Sequence, residues 1–140
     1  MYRFLECTAE QFMTRAVITV TRQATVRELT ELFQKHDFNS FPVVEHENVL
    51  GIVTKFDLLK TFAFSTGHML PHYGELLERR VAEIMTEAAV HVEPTAPLTR
   101  ALQLMVNVKS RSFPVLGPNR QLVGILSRED IIRALKETAD

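Results

Sequence analysis

The chain has 140 residues, 46% hydrophobic and 24% charged, with a formal net charge of −1 and one cysteine. That length suits one domain or two small halves sharing a core, and near-neutral charge without a block of one sign argues against a nucleic-acid partner. Cys7 has no second cysteine to pair with, no apolar run reaches the roughly 18–20 residues that span a bilayer, and residues 1–6 do not have the form of a signal peptide, so a soluble cytoplasmic protein with no membrane partner is expected.

From the N-terminus, Thr8-Ala9-Glu10-Gln11 has capping-box spacing and opens a short helical turn ending near Met13. Val17-Ile18-Thr19-Val20 reads as a short strand because β-branched residues dominate it. Thr25-Val26-Arg27-Glu28 is a second capping box, followed by Val26, Leu29, Leu32, Phe33 and His36 on one helical stripe. A hairpin follows, with Phe41-Pro42-Val43-Val44 turning through residues 45–48 into residues 49–53. Pro42 must lie at a strand start or edge, since proline gives a ladder no donor. A helix starts at Thr54.

Residues 61–79 are too apolar for a flexible linker, with Phe62, Phe64, Met69, Leu70, Tyr73, Leu76 and Leu77. They read as an extended helix, a break around residues 67–74 and a second helical piece, without a counterpart elsewhere in the chain. Packing onto the domain itself or a dimer contact would each use such a segment.

The pattern then returns. Met13-Thr14 recurs as Met85-Thr86, Ser40-Phe41-Pro42-Val43 as Ser112-Phe113-Pro114-Val115, and Gly51-Ile52-Val53-Thr54-Lys55-Phe56-Asp57 as Gly124-Ile125-Leu126-Ser127-Arg128-Glu129-Asp130. The first two recur at an offset of 72 and the third at 73, so one residue is inserted in the second hairpin loop. The second copy therefore predicts a turn at residues 80–85, a strand at Ala89-Val90-His91-Val92, and a helix from Pro97 with Leu98, Ala101, Leu102, Met105 and Val108 on its stripe. A hairpin and a closing helix from Ser127 complete it. An internal repeat constrains the architecture before any single residue is interpreted. Here it implies two similar units covering one another's apolar faces.

Thr54 with Asp57, and Ser127 with Asp130, follow a Gly-Ile strand and open a helix. Spacing of three puts hydroxyl and carboxylate on one side of the first turn, where N–H groups are unpaired and the dipole is positive. The hydroxyl and amides can hold a phosphate, and the carboxylate can accept two hydrogen bonds from a ribose diol. The same residues also make an ordinary helix cap, and a duplicated gene duplicates its caps.

In their order, the Met-Thr start, the Phe-Pro-Val strand and the Gly-Ile-Val-Thr-x-x-Asp end resemble a tandem pair of CBS domains, the regulatory module named after cystathionine β-synthase. The resemblance covers residues 8–60 and 80–136, with 61–79 as an inter-motif helical segment. It implies a mixed α/β fold of two β-α-β-β-α motifs packed through their sheets about a pseudo-twofold axis, with two clefts for AMP, ADP, ATP or S-adenosylmethionine. Carried onto this chain, one cleft joins Ile52, Thr54 and Asp57 to Ala89, Val90, Arg111 and Ser112. The other joins Ile125, Ser127 and Asp130 to Ala16, Val17, Asn39 and Ser40. Both aspartates would bind ribose, Thr54 and Ser127 phosphate, and the apolar residues adenine. Arg111 stands where the other copy has Asn39, so the first cleft should hold phosphorylated ligand more tightly.

No catalytic constellation accompanies the repeat. His68 and His72 have i,i+4 spacing, but Pro71 lies between them and no third ligand follows. His36, His46 and His91 stand apart, and there is neither a Gly-x-Ser-x-Gly nor a phosphate-loop sequence. The expectation is a non-enzymatic sensor, dimeric and acting on an effector protein. A ligand-free scaffold is the alternative.

Overall fold

A computed structural model describes residues 2–63, 73–87 and 90–139. In chain order it contains α1 (Tyr2–Leu5), α2 (Ala9–Phe12), α3 (Val26–Lys35), β1 (Ser40–Glu45), β2 (Asn48–Thr54), α4 (Lys55–Ala63), α5 (Tyr73–Leu77), α6 (Val81–Ile84), β3 (Thr86–Glu87), α7 (Leu98–Val108), β4 (Ser112–Leu116), β5 (Leu122–Ser127) and α8 (Arg128–Glu137). The fold is mixed α/β, with two small antiparallel sheets ordered β1-β2-β3 and β4-β5. Two compact units divide the chain at points the repeat does not mark. One is Ile18–Ala88; the other joins Met1–Val17 to Ala89–Asp140.

In the Ile18–Ala88 unit, Thr25 starts α3 through the capping box expected from sequence. Its N–H donates to Glu28 Oε1 at 3.1 Å, and the Glu28 N–H returns a bond to Thr25 Oγ1 at 3.1 Å. The α3 stripe buries Val26 and Leu29 fully, and Leu32 and Phe33 in part. Phe41 is the hub of this core, 4.7 Å from the Phe33 ring and 6.0 Å from Phe38. β1 and β2 form the predicted hairpin, with Ser40 opposite Thr54 and a register shift between Val43 and Val44. In the second unit, Phe113 and Leu126 from the β4-β5 hairpin pack with Leu98, Ala101 and Met105 of α7, together with Phe4, Cys7, Ala9 and Met13 from the N-terminal segment. Its register shift falls at the matching place, between Val115 and Leu116.

The strand expected at residues 17–20 does not form a ladder. Among the described residues only Val20 of that stretch pairs, in parallel with Val43, and in the other unit only Val92 of residues 90–92 pairs, with Val115. Val20 N–H donates to the Pro42 carbonyl at 3.0 Å and its carbonyl accepts from Val44 N–H at 2.9 Å. In a parallel ladder the next bond toward Ile18 would need an N–H at position 42, which proline lacks. Pro114 imposes the same stop, with Val92 N–H on its carbonyl at 3.1 Å. Two members of the α7 stripe also differ from expectation: Leu102 and Val108 are exposed, since the covered face is narrower than the periodicity implied.

The end of the inter-motif segment does have a counterpart. Ala9 and Glu10 N–H donate to the carbonyls of Ala96 and Pro94 at 2.8 and 2.9 Å, and Leu98 N–H donates to Cys7 at 3.0 Å. In the other unit Val81 and Ala82 donate to Ala24 and Arg22 at 2.8 and 3.0 Å, and Val26 donates to Arg79 at 2.8 Å. α1-α2 and α5-α6 thus occupy matched positions. Each Met-Thr segment then pairs with a sheet made by the other sequence copy, Thr14 with Ile125 of β5 and Thr86 with Ile52 of β2. The repeat is therefore exchanged: the opening turn of each copy completes the sheet of the other. The expected break at residues 67–74 falls mostly outside the described residues, as do His68 and His72.

Candidate functional site

β2 ends at Thr54 and α4 starts at Lys55 without a loop, so the first-turn amides point at the strand end. Asp57 reaches back across that turn. Its Oδ2 accepts the Thr54 N–H at 2.9 Å, and its own N–H donates to Thr54 Oγ1 at 3.0 Å. The carboxylate is buried, with 5% of the residue exposed, and among the described residues its Oδ1 faces only the Lys60 ammonium at 3.7 Å. Lys60 also lies over the Phe56 ring, 5.3 Å from its centroid. Asn39 and Ser40 flank this station: Ser40 pairs with Thr54, and the Asn39 carbonyl accepts the Lys55 N–H at 3.0 Å.

The second station repeats the geometry. Asp130 Oδ2 accepts the Ser127 N–H at 2.9 Å, and Asp130 N–H donates to Ser127 Oγ at 3.2 Å. Ser112 pairs with Ser127, and the Arg111 carbonyl accepts the Arg128 N–H at 3.0 Å. Asp130, 6% exposed, has more partners than Asp57. Thr14 Oγ1 lies 3.3 Å from Oδ1 and 3.4 Å from Oδ2, and Arg133 Nη2 donates to Oδ1 at 3.1 Å. The same Nη2 bonds the Phe12 carbonyl at 2.7 Å, with the guanidinium 5.4 Å from the Phe12 ring centre.

Ile52, Thr54, Asp57, Asn39 and Ser40 thus gather in one unit, and Ile125, Ser127, Asp130, Arg111, Ser112, Ala16 and Val17 belong to the other. Val90 is 42% exposed, and Ala89 lies outside the described residues. Each ligand set expected from the resemblance draws on both units. Thr14, Phe12 and Arg133 carried no assignment in the sequence reading. Their signal was the paired recurrence of Met-Thr and of Gly-Ile, which marks two backbones in contact. Among the described residues no group of three or more His, Cys, Asp or Glu side chains is placed to hold a metal. A cavity of about 390 Å³ opens at the start of α7, lined by His91, Glu93, Thr95, Pro97 and Arg100, outside the predicted set.

Chemically, each station offers a helix N-terminus, a hydroxyl and a buried carboxylate held in a fixed rotamer by its cap. Such a group can accept donors with little reorganisation. Among the described residues neither hydroxyl is hydrogen-bonded to an imidazole or amine that would activate it as a nucleophile.

The sequence profile of the CBS domain matches residues 9–63 and 81–137. The chain belongs to the CBS domain family. Among curated relatives, the CBS domain-containing protein YhcV of Bacillus subtilis is 32% identical over 120 residues, which cover 85% of this chain and 79% of YhcV. An inosine-5'-monophosphate dehydrogenase of Korarchaeum cryptofilum is 31% identical over 123 residues, covering 88% of this chain but 23% of the enzyme. An uncharacterized Methanocaldococcus jannaschii protein, MJ0188, is 29% identical over 126 residues, and this CBS chain spans 42% of its length. The CBS chain therefore spans less than half the length of these last two relatives.

Solved CBS pairs share the fold. The structure of CBSX2 in complex with AMP superposes with a TM-score of 0.81 at 24% identity, covering 95% of this chain and 98% of that one. The CBS domain pair of MJ0100, in complex with 5'-methylthioadenosine and S-adenosyl-L-methionine, gives 0.80 at 23% identity, covering 94% and 97%. No helix among the described residues is long and apolar enough to cross a membrane.

Proposed function

We propose that this chain is a non-catalytic, cytoplasmic regulatory module that binds an adenosine-containing ligand (AMP, ADP, ATP or S-adenosylmethionine) and relays its occupancy to a separate effector protein. The observation that carries the reading is the buried, cap-held carboxylate beside a hydroxyl at the start of α4 and again of α8. It stands in a family whose solved members include complexes with AMP and with S-adenosylmethionine. The family pattern offers Asp57 and Asp130 to ribose, and Thr54 and Ser127 to phosphate, whether or not both stations are used in this chain. The further assignment of Ile52, Ala89, Val90, Arg111 and Ser112 to one ligand, and of Ile125, Ala16, Val17, Asn39 and Ser40 to another, rests on the family pattern.

The ligand would act by differential affinity for two arrangements of the module, because a ligand that binds both equally shifts nothing. Thermal unfolding with AMP, ADP, ATP and S-adenosylmethionine tests this. A ligand at 100 times its dissociation constant adds ~2.7 kcal/mol, a rise of several degrees for a domain this size. No shift with any of the four would dispose of the adenosine reading.

A second reading, a ligand-free dimerisation scaffold, draws on a different observation. Phe56 and Leu59 on α4 are 67% and 64% exposed, and Ile132 on α8, at the position equivalent to Leu59, is 64% exposed. A homodimer would cover these apolar side chains, and a sensor can be dimeric as well.

A further inference from the structure

The two stations carry the same motif but not the same surroundings. Four substitutions between the repeats fall at the stations: Arg133 stands at the place of Lys60, Phe12 at that of Ile84, Glu129 at that of Phe56, and Ser127 at that of Thr54. The arginine contacts Phe12 twice, on its carbonyl at 2.7 Å and over its ring, and the same Nη2 reaches Asp130 Oδ1 at 3.1 Å. Lysine at the equivalent place is a point charge on a flexible stem, 3.7 Å from Asp57 Oδ1 and drawn over Phe56 instead.

The Met-Thr segments differ in the same sense. Thr14 places its hydroxyl 3.3 and 3.4 Å from the two Asp130 oxygens, sharing one proton between them. Among the described residues no hydrogen bond joins the equivalent Thr86 hydroxyl to Asp57. Both carboxylates are buried to a similar degree, so partners rather than exposure separate them. With one lone pair of each Oδ2 committed to its helix cap, Oδ1 is the freer oxygen for a ligand. At Asp130 that oxygen already holds Arg133 at 3.1 Å and a share of Thr14; at Asp57, among the described residues, it faces the Lys60 ammonium at 3.7 Å.

We propose that the stations have divided their roles: Asp57 is the carboxylate that receives a ligand's vicinal hydroxyls, while Asp130 is a tie that fastens residues 12–14 to α8. One chain then takes up one adenosine-containing ligand. The ligand half of this proposal rests on the functional reading above; the tie does not.

Calorimetric titration of the full chain with AMP, and separately with S-adenosylmethionine, reads the stoichiometry. One binding event per chain is expected, lost or weakened at least about tenfold in Asp57→Asn. Arg133→Met, which frees Asp130, is expected to add a second event, whereas Lys60→Met is not. Two equal events in the wild type would overturn the proposal, and so would a single event removed by Asp130→Asn instead of Asp57→Asn. If neither probe binds, and ADP and ATP do not either, the adenosine reading fails and a stability cycle judges the tie. Asp130→Asn and Arg133→Met should be non-additive in melting temperature, and Asp57→Asn and Lys60→Met additive. Equal behaviour of the two pairs would overturn the tie as well.

Discussion

Gly124 lies directly beneath Thr14: a β-carbon on the glycine would stand 2.9 Å from the Thr14 carbonyl oxygen and 2.7 Å from Met13 Sδ. Gly51 meets Thr86 in the same way, more tightly, since its added β-carbon would overlap the Thr86 carbonyl and approach Glu87 Cα at 3.0 Å. The repeated glycines and the repeated Met-Thr are therefore one feature, a backbone crossing a sheet at close range. Gly51→Ala forces backbone atoms apart and should cost about 2–3 kcal/mol; Gly124→Ala partly displaces a flexible methionine and should cost about 1 kcal/mol. Urea unfolding of the two variants checks both the sign and the order.

The β1-β2 hairpin turns on His46 and Glu47, which both adopt left-handed backbone, at φ 51° and 67°. A two-residue turn of that hand suits Asn-Gly, and each non-glycine residue there is strained. Glu47→Gly should stabilise the chain by up to about 1 kcal/mol, seen as a higher denaturation midpoint with an unchanged slope. Lys109, at φ 54°, ends α7 in the same region, and Lys109→Gly should act in the same direction.

Two caps make stability sensitive to acid. Hydrogen bonds from the Thr25 backbone and hydroxyl hold Glu28 below the usual glutamate range, and the Arg80 N–H does the same for Glu83. A carboxylate whose folded pKa is depressed contributes stability that is complete above its unfolded value, about 4.3, and is lost as pH falls through the folded value. Melting temperature should thus be insensitive to these groups at neutral pH and fall below that range. The fall should be shallower in the double variant Glu28→Ala, Glu83→Ala. Both side chains are exposed, so the effect is small and weakens further with salt.

Leu59→Glu and Ile132→Glu test the apolar patches on α4 and α8, where Leu59 and Ile132 are each 64% exposed. Neither substitution opens a cavity, so the monomer's stability should change little. Sedimentation velocity should show a dimer in the wild type and a monomer in the variants.

Much of the architecture was legible in the chain. Strict offsets between copies located both hairpins, the Thr25 capping box announced α3, and the Thr/Ser-x-x-Asp pairs sat where a strand must become a helix. These signals are local, carried by residues within a few positions of one another. Three things were not legible. Val17-Ile18-Thr19-Val20 has strand composition, but its partner Pro42 lies 22 residues beyond Val20 and withholds the donor that would extend the pairing. The exchange of Met-Thr segments is a choice of partner between two nearly identical sheets, and the repeat leaves that choice open. The unequal company of the two aspartates depends on Thr14 and Asp130 meeting across 116 residues, with Arg133 anchored on Phe12. By itself the sequence determined that there are two copies, what each is made of and where each carboxylate caps its helix, because spacing along one chain fixes local hydrogen bonds. Only the tertiary structure decided which copy completes which sheet and which carboxylate is tied, because those outcomes depend on side chains brought together from distant parts of the chain.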